Sequence, residues 1–282
     1  MFKICHDQFR HTVLSVRFYV SLLIGVVMQI VAVMPLLEFA ETMGSSLSIF
    51  DAFICFNCDD YTASTAFLAV FLLASDIPFS NAHDPYTLMR TTRFKWLLGK
   101  IIYIICVCLV YYFLISIFGI LYIVGSACAK NEWSYPISLL TKDTSLVLST
   151  EYSVYFLYPY ITSSVSPLCA YIMCLILSTA YAIDSCLLLF LFTLRIPRSI
   201  GFFLTILVHI IGYTFGTIIV AKFLSPLSLF GNSLLMYHKF GKANQSSIYL
   251  SVPQSLFLYL CVGMLIYIGL KHVIKTYDFR SA

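Results

Sequence analysis

Cys55 and Cys58 form a Cys-x-x-Cys pair followed at once by Asp59 and Asp60. Thiols at this spacing can close a local disulfide, stay as packed thiols, or supply half of a metal site. A zinc site wants a second ligand pair and a redox dithiol wants a thioredoxin-like helix start; neither accompanies the pair. With His209 neutral and Asp76 placed at the end of its run, Asp184 is the one acid or base in the interior of the long apolar runs. A carboxyl in such a run is costly to desolvate, so it faces a cavity or a partner. It is either a cargo-path or proton-relay carboxylate, or a packing acid bonded to Ser or Tyr neighbours. His209 is a second residue for such a path, or a core histidine satisfied by a neighbouring helix. Signatures of catalysis are missing: the sequence has no GxxxxGK[ST] loop, HExxH, GxSxG or dinucleotide-binding glycine turn. No catalytic residue and no metal set is therefore assigned, and any energised step needs an ATPase on another chain.

The elements that carry these residues follow from composition. Of 282 residues, 60% are hydrophobic and 11% charged, and the mean hydropathy is +0.91. Soluble domains carry about 25% charged residues, so a soluble enzyme, a disordered chain and a nucleic-acid binder are excluded. A spanning helix takes about 20 apolar residues. Six runs qualify, at 18–37, 62–79, 101–124, 167–194, 200–221 and 253–270. They do not alternate as barrel strands do. The expectation is an all-α polytopic membrane protein, a single transmembrane domain over 1–282 with six transmembrane helices. Most of the other cysteines lie inside these runs and read as small packing residues.

Charge sets the expected orientation. Twelve Lys and Arg fall on the side of the termini and of the second and fourth connections, and five fall opposite. By the positive-inside rule both termini are cytoplasmic, in a multi-pass protein of the cytoplasmic membrane. Residues 1–17 carry Phe2, Cys5, Phe9, Val13 and Val16 at helical spacing, with Lys3, Asp7, Arg10 and Arg17 elsewhere, which predicts an interfacial amphipathic helix. The outer segment 224–237 is apolar, too short to cross and broken by Pro226 and Gly231; it reads as re-entrant or interfacial. The tyrosines of 152–160 read as an aromatic belt.

The connection at 75–100 is the most informative stretch. Asp76 and Pro78 end the second run; Asp84 and Pro85 can cap and start a helix. Apolar Met89, Phe94, Trp96, Leu97 and Leu98 are then interleaved with Arg90, Arg93, Lys95 and Lys100. One reading is a basic juxtamembrane helix on anionic lipid; the other is a short cytoplasmic helix that docks on a protein.

This stretch resembles the membrane subunits of ABC-2-type transporters, the permeases of bacterial ABC exporters. The resemblance is carried by Pro78-Phe79, Asp84, Arg90-Thr91-Thr92-Arg93, Trp96-Leu97 and Lys100. Tyr86-Thr87-Leu88 stands where the family pattern often has a glycine. The resemblance implies a permease that pairs with a separate ABC ATPase subunit and with a second permease, identical or paralogous. It implies that ATP and Mg are bound by that partner, with no cofactor on this chain. Residues 84–94 would be the coupling helix, with Met89 and Phe94 as apolar anchors, Arg90 and Arg93 as polar contacts, and Asp84 at its start. The cargo of such systems is commonly a peptide, lipid, drug or polysaccharide. A non-ABC secondary transporter or channel, which would place several polar groups at mid-membrane, is the alternative.

Overall fold

The computed structural model describes residues 2–77, 91–142, 159–217, 225–240 and 249–276. Ten α-helices lie in these stretches: α1 (Phe2–Val13), α2 (Val16–Thr42), α3 (Asp51–Cys58), α4 (Asp60–Ala74), α5 (Arg93–Ile123), α6 (Tyr135–Lys142), α7 (Pro159–Ser164), α8 (Pro167–Arg195), α9 (Arg198–Thr217) and α10 (Val252–Thr276). Two residues of β1 (Leu47–Ser48) pair in parallel with two of β2 (Ala127–Cys128).

Five helices, α2, α5, α8, α9 and α10, are long and apolar enough to cross a membrane. Their starts are set locally. Ser15 Oγ accepts from Phe18 N at the head of α2 (3.3 Å) and Thr92 Oγ1 from Lys95 N at the head of α5 (3.4 Å). Pro167 opens α8 at a position where its missing N–H is no loss. Their outward faces are as apolar as the interior: Phe257, Leu260, Met264, Leu265 and Ile268 of α10 are all more than 60% exposed. A surface of this kind is stable against hydrocarbon and not against water.

The helices pack around α8, which touches α3, α4, α5, α9 and α10. Of its most apolar stretch 61% is buried, against 22–44% for the other four long helices. The basic side of the chain gathers at one end of this bundle. There Asp76, just beyond α4, pairs with Arg17 at the start of α2 and with Arg198 at the start of α9. At the far end the β1–β2 bridge joins the chain after α2 to the chain after α5.

Several expectations change in detail. The run expected at 62–79 is the shorter helix α4, which ends at Ala74. Before it, α3 replaces the expected outer loop, and each of its eight residues is buried. A single extended residue, Asp59, separates the two helices; its carboxylate accepts from Tyr61 N (3.2 Å) and Thr62 N (3.3 Å) and so caps α4. Helix α5 starts eight residues before the expected 101, which draws Lys100 into the bundle as a fully buried residue over the Trp96 ring, 5.3 Å from its centroid. Helix α1 forms as expected but packs on α5 with Cys5, Gln8 and Thr12 inward, and Thr12 Oγ1 bonds Tyr103 OH at 2.5 Å.

The segment expected to be re-entrant is folded into the bundle over 225–238. Two short 3-10 turns, Gly231–Ser233 and Leu235–Tyr237, bury Phe230, Leu234 and Leu235 completely. Its entry depends on two glycines: a Cβ on Gly216 of α9 would stand 2.9 Å from the Gly231 Cα. His238 closes the segment, with Nδ1 donating to Leu234 O (3.0 Å) and Nε2 3.0 Å from Ser255 Oγ of α10. Burial holds this imidazole down at about 4, so it is neutral near neutral pH.

Candidate functional site

A cavity of about 510 Å³ lies between α8 and α10, with Ile101 of α5 beside them; Ala180, Ile183, Asp184 and Leu187 form one wall and Leu256, Tyr259, Leu260, Gly263, Met264 and Tyr267 the other. Asp184 is 6% exposed, and its Oδ2 has no hydrogen-bond partner among the described residues. The carboxyl has room because residue 263 is glycine: a Cβ there would lie 2.8 Å from Asp184 Oδ1. Tyr259 is no partner for it, since its hydroxyl donates to Leu229 O at 2.7 Å. At the mouth Leu260 and Met264 are 69% and 68% exposed, so the cavity opens sideways onto the apolar outer face of α10. A buried carboxyl without a partner costs several kcal/mol where it is ionised, so this group is not there for stability.

A second cavity of about 260 Å³ also has Asp184 in its wall; it lies between α8, α9, α10 and the inserted segment, and His209 lines it too. The structure thus brings Asp184 and His209 to one cavity, although 25 residues of sequence separate them. Their environments differ. His209 Nδ1 is 2.6 Å from Tyr181 OH of α8, and Nε2 is 2.9 Å from Ser64 Oγ of α4. Phe71 and Phe230 stand edge-on to the ring at 5.5 and 5.3 Å. A hydroxyl beside an imidazole is the start of a nucleophile and base pair. Here the third member is a tyrosine hydroxyl instead of a carboxylate, and aromatic rings close on the imidazole. The arrangement binds four elements together.

The basic end carries the other expected residues. Asp84, Met89 and Arg90 lie outside the described residues. Arg93 opens α5, and its Nη1 donates to Ile274 O (3.3 Å) and Lys275 O (2.7 Å), covering the C-terminal carbonyls of α10. Phe94 is 44% exposed, with Lys271 Nζ 6.0 Å from its ring centroid. Asp76, read from the sequence only as the end of a span, is the charge hub here. Its Oδ1 accepts from Arg17 and from Arg198 (2.6 Å), and Arg198 Nε also donates to Ser75 O (2.6 Å). The signal for it was present in the sequence, where the charge count puts Arg17 and Arg198 on the side at which Asp76 ends the second run.

Cys55 and Cys58 both carry free thiols on the buried helix α3, not on an outer loop. Cys55 Sγ donates to Ala32 O of α2 at 3.3 Å. Among the described residues no group of three His, Cys, Asp or Glu could hold a metal ion. No family model matches the chain, and neither a curated protein nor a solved structure matches it.

Proposed function

We propose that the chain is the membrane-spanning permease subunit of an ABC-2-type exporter, working with a separate ATPase that binds ATP and Mg. The observation that carries this reading is the pattern from Pro78 to Lys100, leading directly into α5. The way the ends of that segment are tied into the bundle supports it. On one side Asp76 holds α2 and α9 through Arg17 and Arg198. On the other, Arg93 holds the end of α10. A push on residues 78–90 would reach α2, α4, α5, α9 and α10 through these bonds.

In this reading α3 and α4 together make the sixth crossing. They run from the β1 end to the Asp76 end, and their eight and fifteen residues give about 34 Å at 1.5 Å per residue, near the hydrocarbon thickness of about 30 Å. Both termini are then cytoplasmic, and a second permease copy completes the path. The test is co-purification from membranes with a Walker-A-bearing ATPase. Arg90→Glu should abolish recovery of the ATPase while the chain still inserts and elutes as one species. Undiminished ATPase recovery by Arg90→Glu, and by a chain with 84–94 replaced by a Gly-Ser linker, would overturn the coupling assignment.

One observation favours the alternative of a secondary transporter. Discontinuous helices with polar groups at the break hold coupling ions in such proteins. Beside the break at Asp59, Asn57 Oδ1 accepts from Ser178 Oγ (2.5 Å) and Asp60 Oδ2 from Tyr237 OH (3.2 Å). Gradient-driven uptake by proteoliposomes holding this chain alone would favour that reading, and its absence the exporter.

A further inference from the structure

We propose that the α8–α10 cavity binds a lipophilic monoamine, a protonated amine on an apolar chain, with Asp184 as its counter-ion. The proposal rests on the permease reading for the role of that amine as cargo; the binding itself stands on geometry. Asp184 Oδ2 is a buried acceptor without a partner among the described residues. It lies in the wall of a cavity of about 510 Å³, within the range of small-molecule sites. Gly263 of α10 supplies backbone and no side chain beside the carboxyl, where a Cβ would crowd Oδ1 at 2.8 Å.

Charge and shape select the ligand. A single carboxylate calls for a single positive group, and a charge-assisted N–H···O bond is stronger the drier its surroundings. The other described lining residues are apolar apart from the hydroxyls of Tyr259 and Tyr267, and Tyr259 is already engaged with Leu229 O. Among the described residues no Lys or Arg lines the cavity, so a phosphate or carboxylate on the ligand would find no cationic partner there. That disfavours phospholipid headgroups, fatty acids and zwitterionic peptides. The sideways mouth, between exposed Leu260 and Met264, fits entry from the bilayer, where an amphiphilic amine is concentrated.

The test uses the purified full chain in nanodiscs of zwitterionic lipid, with tritiated dodecylamine as probe and empty nanodiscs subtracted. Saturable binding is expected, displaced by the protonated secondary amine N-methyldodecylamine and not by dodecanol. Asp184→Asn keeps the shape and removes the charge, and should weaken binding about tenfold or more. Gly263→Ala crowds Asp184 Oδ1 from the opposite helix and should also weaken it. Displacement by dodecanol as effective as by the cation, or equal affinity in wild type and Asp184→Asn, would overturn the site. The two readings fail separately: loss of Asp184-dependent binding removes the amine site and leaves the permease, whereas absence of an ATPase partner removes the permease and leaves the site.

Discussion

Asp184 and His209 line the same small cavity, are both buried, and are treated in opposite ways by the fold. Each His209 nitrogen has a hydroxyl within 2.9 Å, supplied by α4 and α8. Asp184 has an oxygen with no partner among the described residues and a glycine opposite. A buried polar group that is fully bonded stabilises a bundle and fixes its register, whereas one left open costs stability. The difference separates a structural tie from a binding group, although both residues look alike as isolated polar positions in apolar runs.

The largest effect that would test this contrast is at His209. His209→Ala leaves Ser64 and Tyr181 hydroxyls facing a void and should lower unfolding stability by about 3 kcal/mol, read from thermal unfolding in nanodiscs. A loss below about 1 kcal/mol would mean that the imidazole is not a tie.

His238 sharpens the same point through pH. Its folded pKa, about 4, is below the ordinary 6.5 because of burial. The unfolded chain then takes up the proton first, so the stability that His238 contributes is fully present above about 6.5 and declines as pH falls toward 4. Between pH 6.5 and 5 the decline should be about 2 kcal/mol. His238→Gln should flatten that part of the profile; an unchanged slope in the variant would show that other groups carry it.

Removing one partner of His209 should cost less than removing the ring. Tyr181→Phe is expected to lower stability by about 1 kcal/mol in the same unfolding measurement. Asp184→Asn should have the smallest effect, within about 1 kcal/mol of wild type and in the stabilising direction, because no bond among the described residues to Oδ2 is lost and a buried charge is removed. A strong destabilisation by Asp184→Asn would place Asp184 with His209 as a structural residue and erase the contrast.

Much of the frame was legible in the chain. The runs at 18–37, 101–124, 167–194, 200–221 and 253–270 each lie largely within one of the five long helices, because a run of that length and apolarity has few other stable forms. The amphipathic spacing of residues 2–16 found α1. Helix α3 was not legible: 51–58 is short, carries the Cys-x-x-Cys pair, and adjoins Asp59 and Asp60. Only its neighbours α2, α5 and α8 make that segment a buried helix. Lys100 also looked like a boundary residue, and the early start of α5 buries it.

The sequence alone determined that this is a helical protein with several apolar helices long enough to cross a membrane, because hydrophobicity and helical periodicity act over one or two turns. It also marked Asp184 and His209 as polar positions within apolar runs. Which of the two is satisfied was decided by tertiary structure, since what faces each comes from other helices: the hydroxyls of Ser64 and Tyr181 for the histidine, and for the aspartate only the side-chain-free Gly263, which offers no side-chain partner. Desolvation is set by the type of residue, but its compensation depends on what another part of the chain brings within about 3 Å.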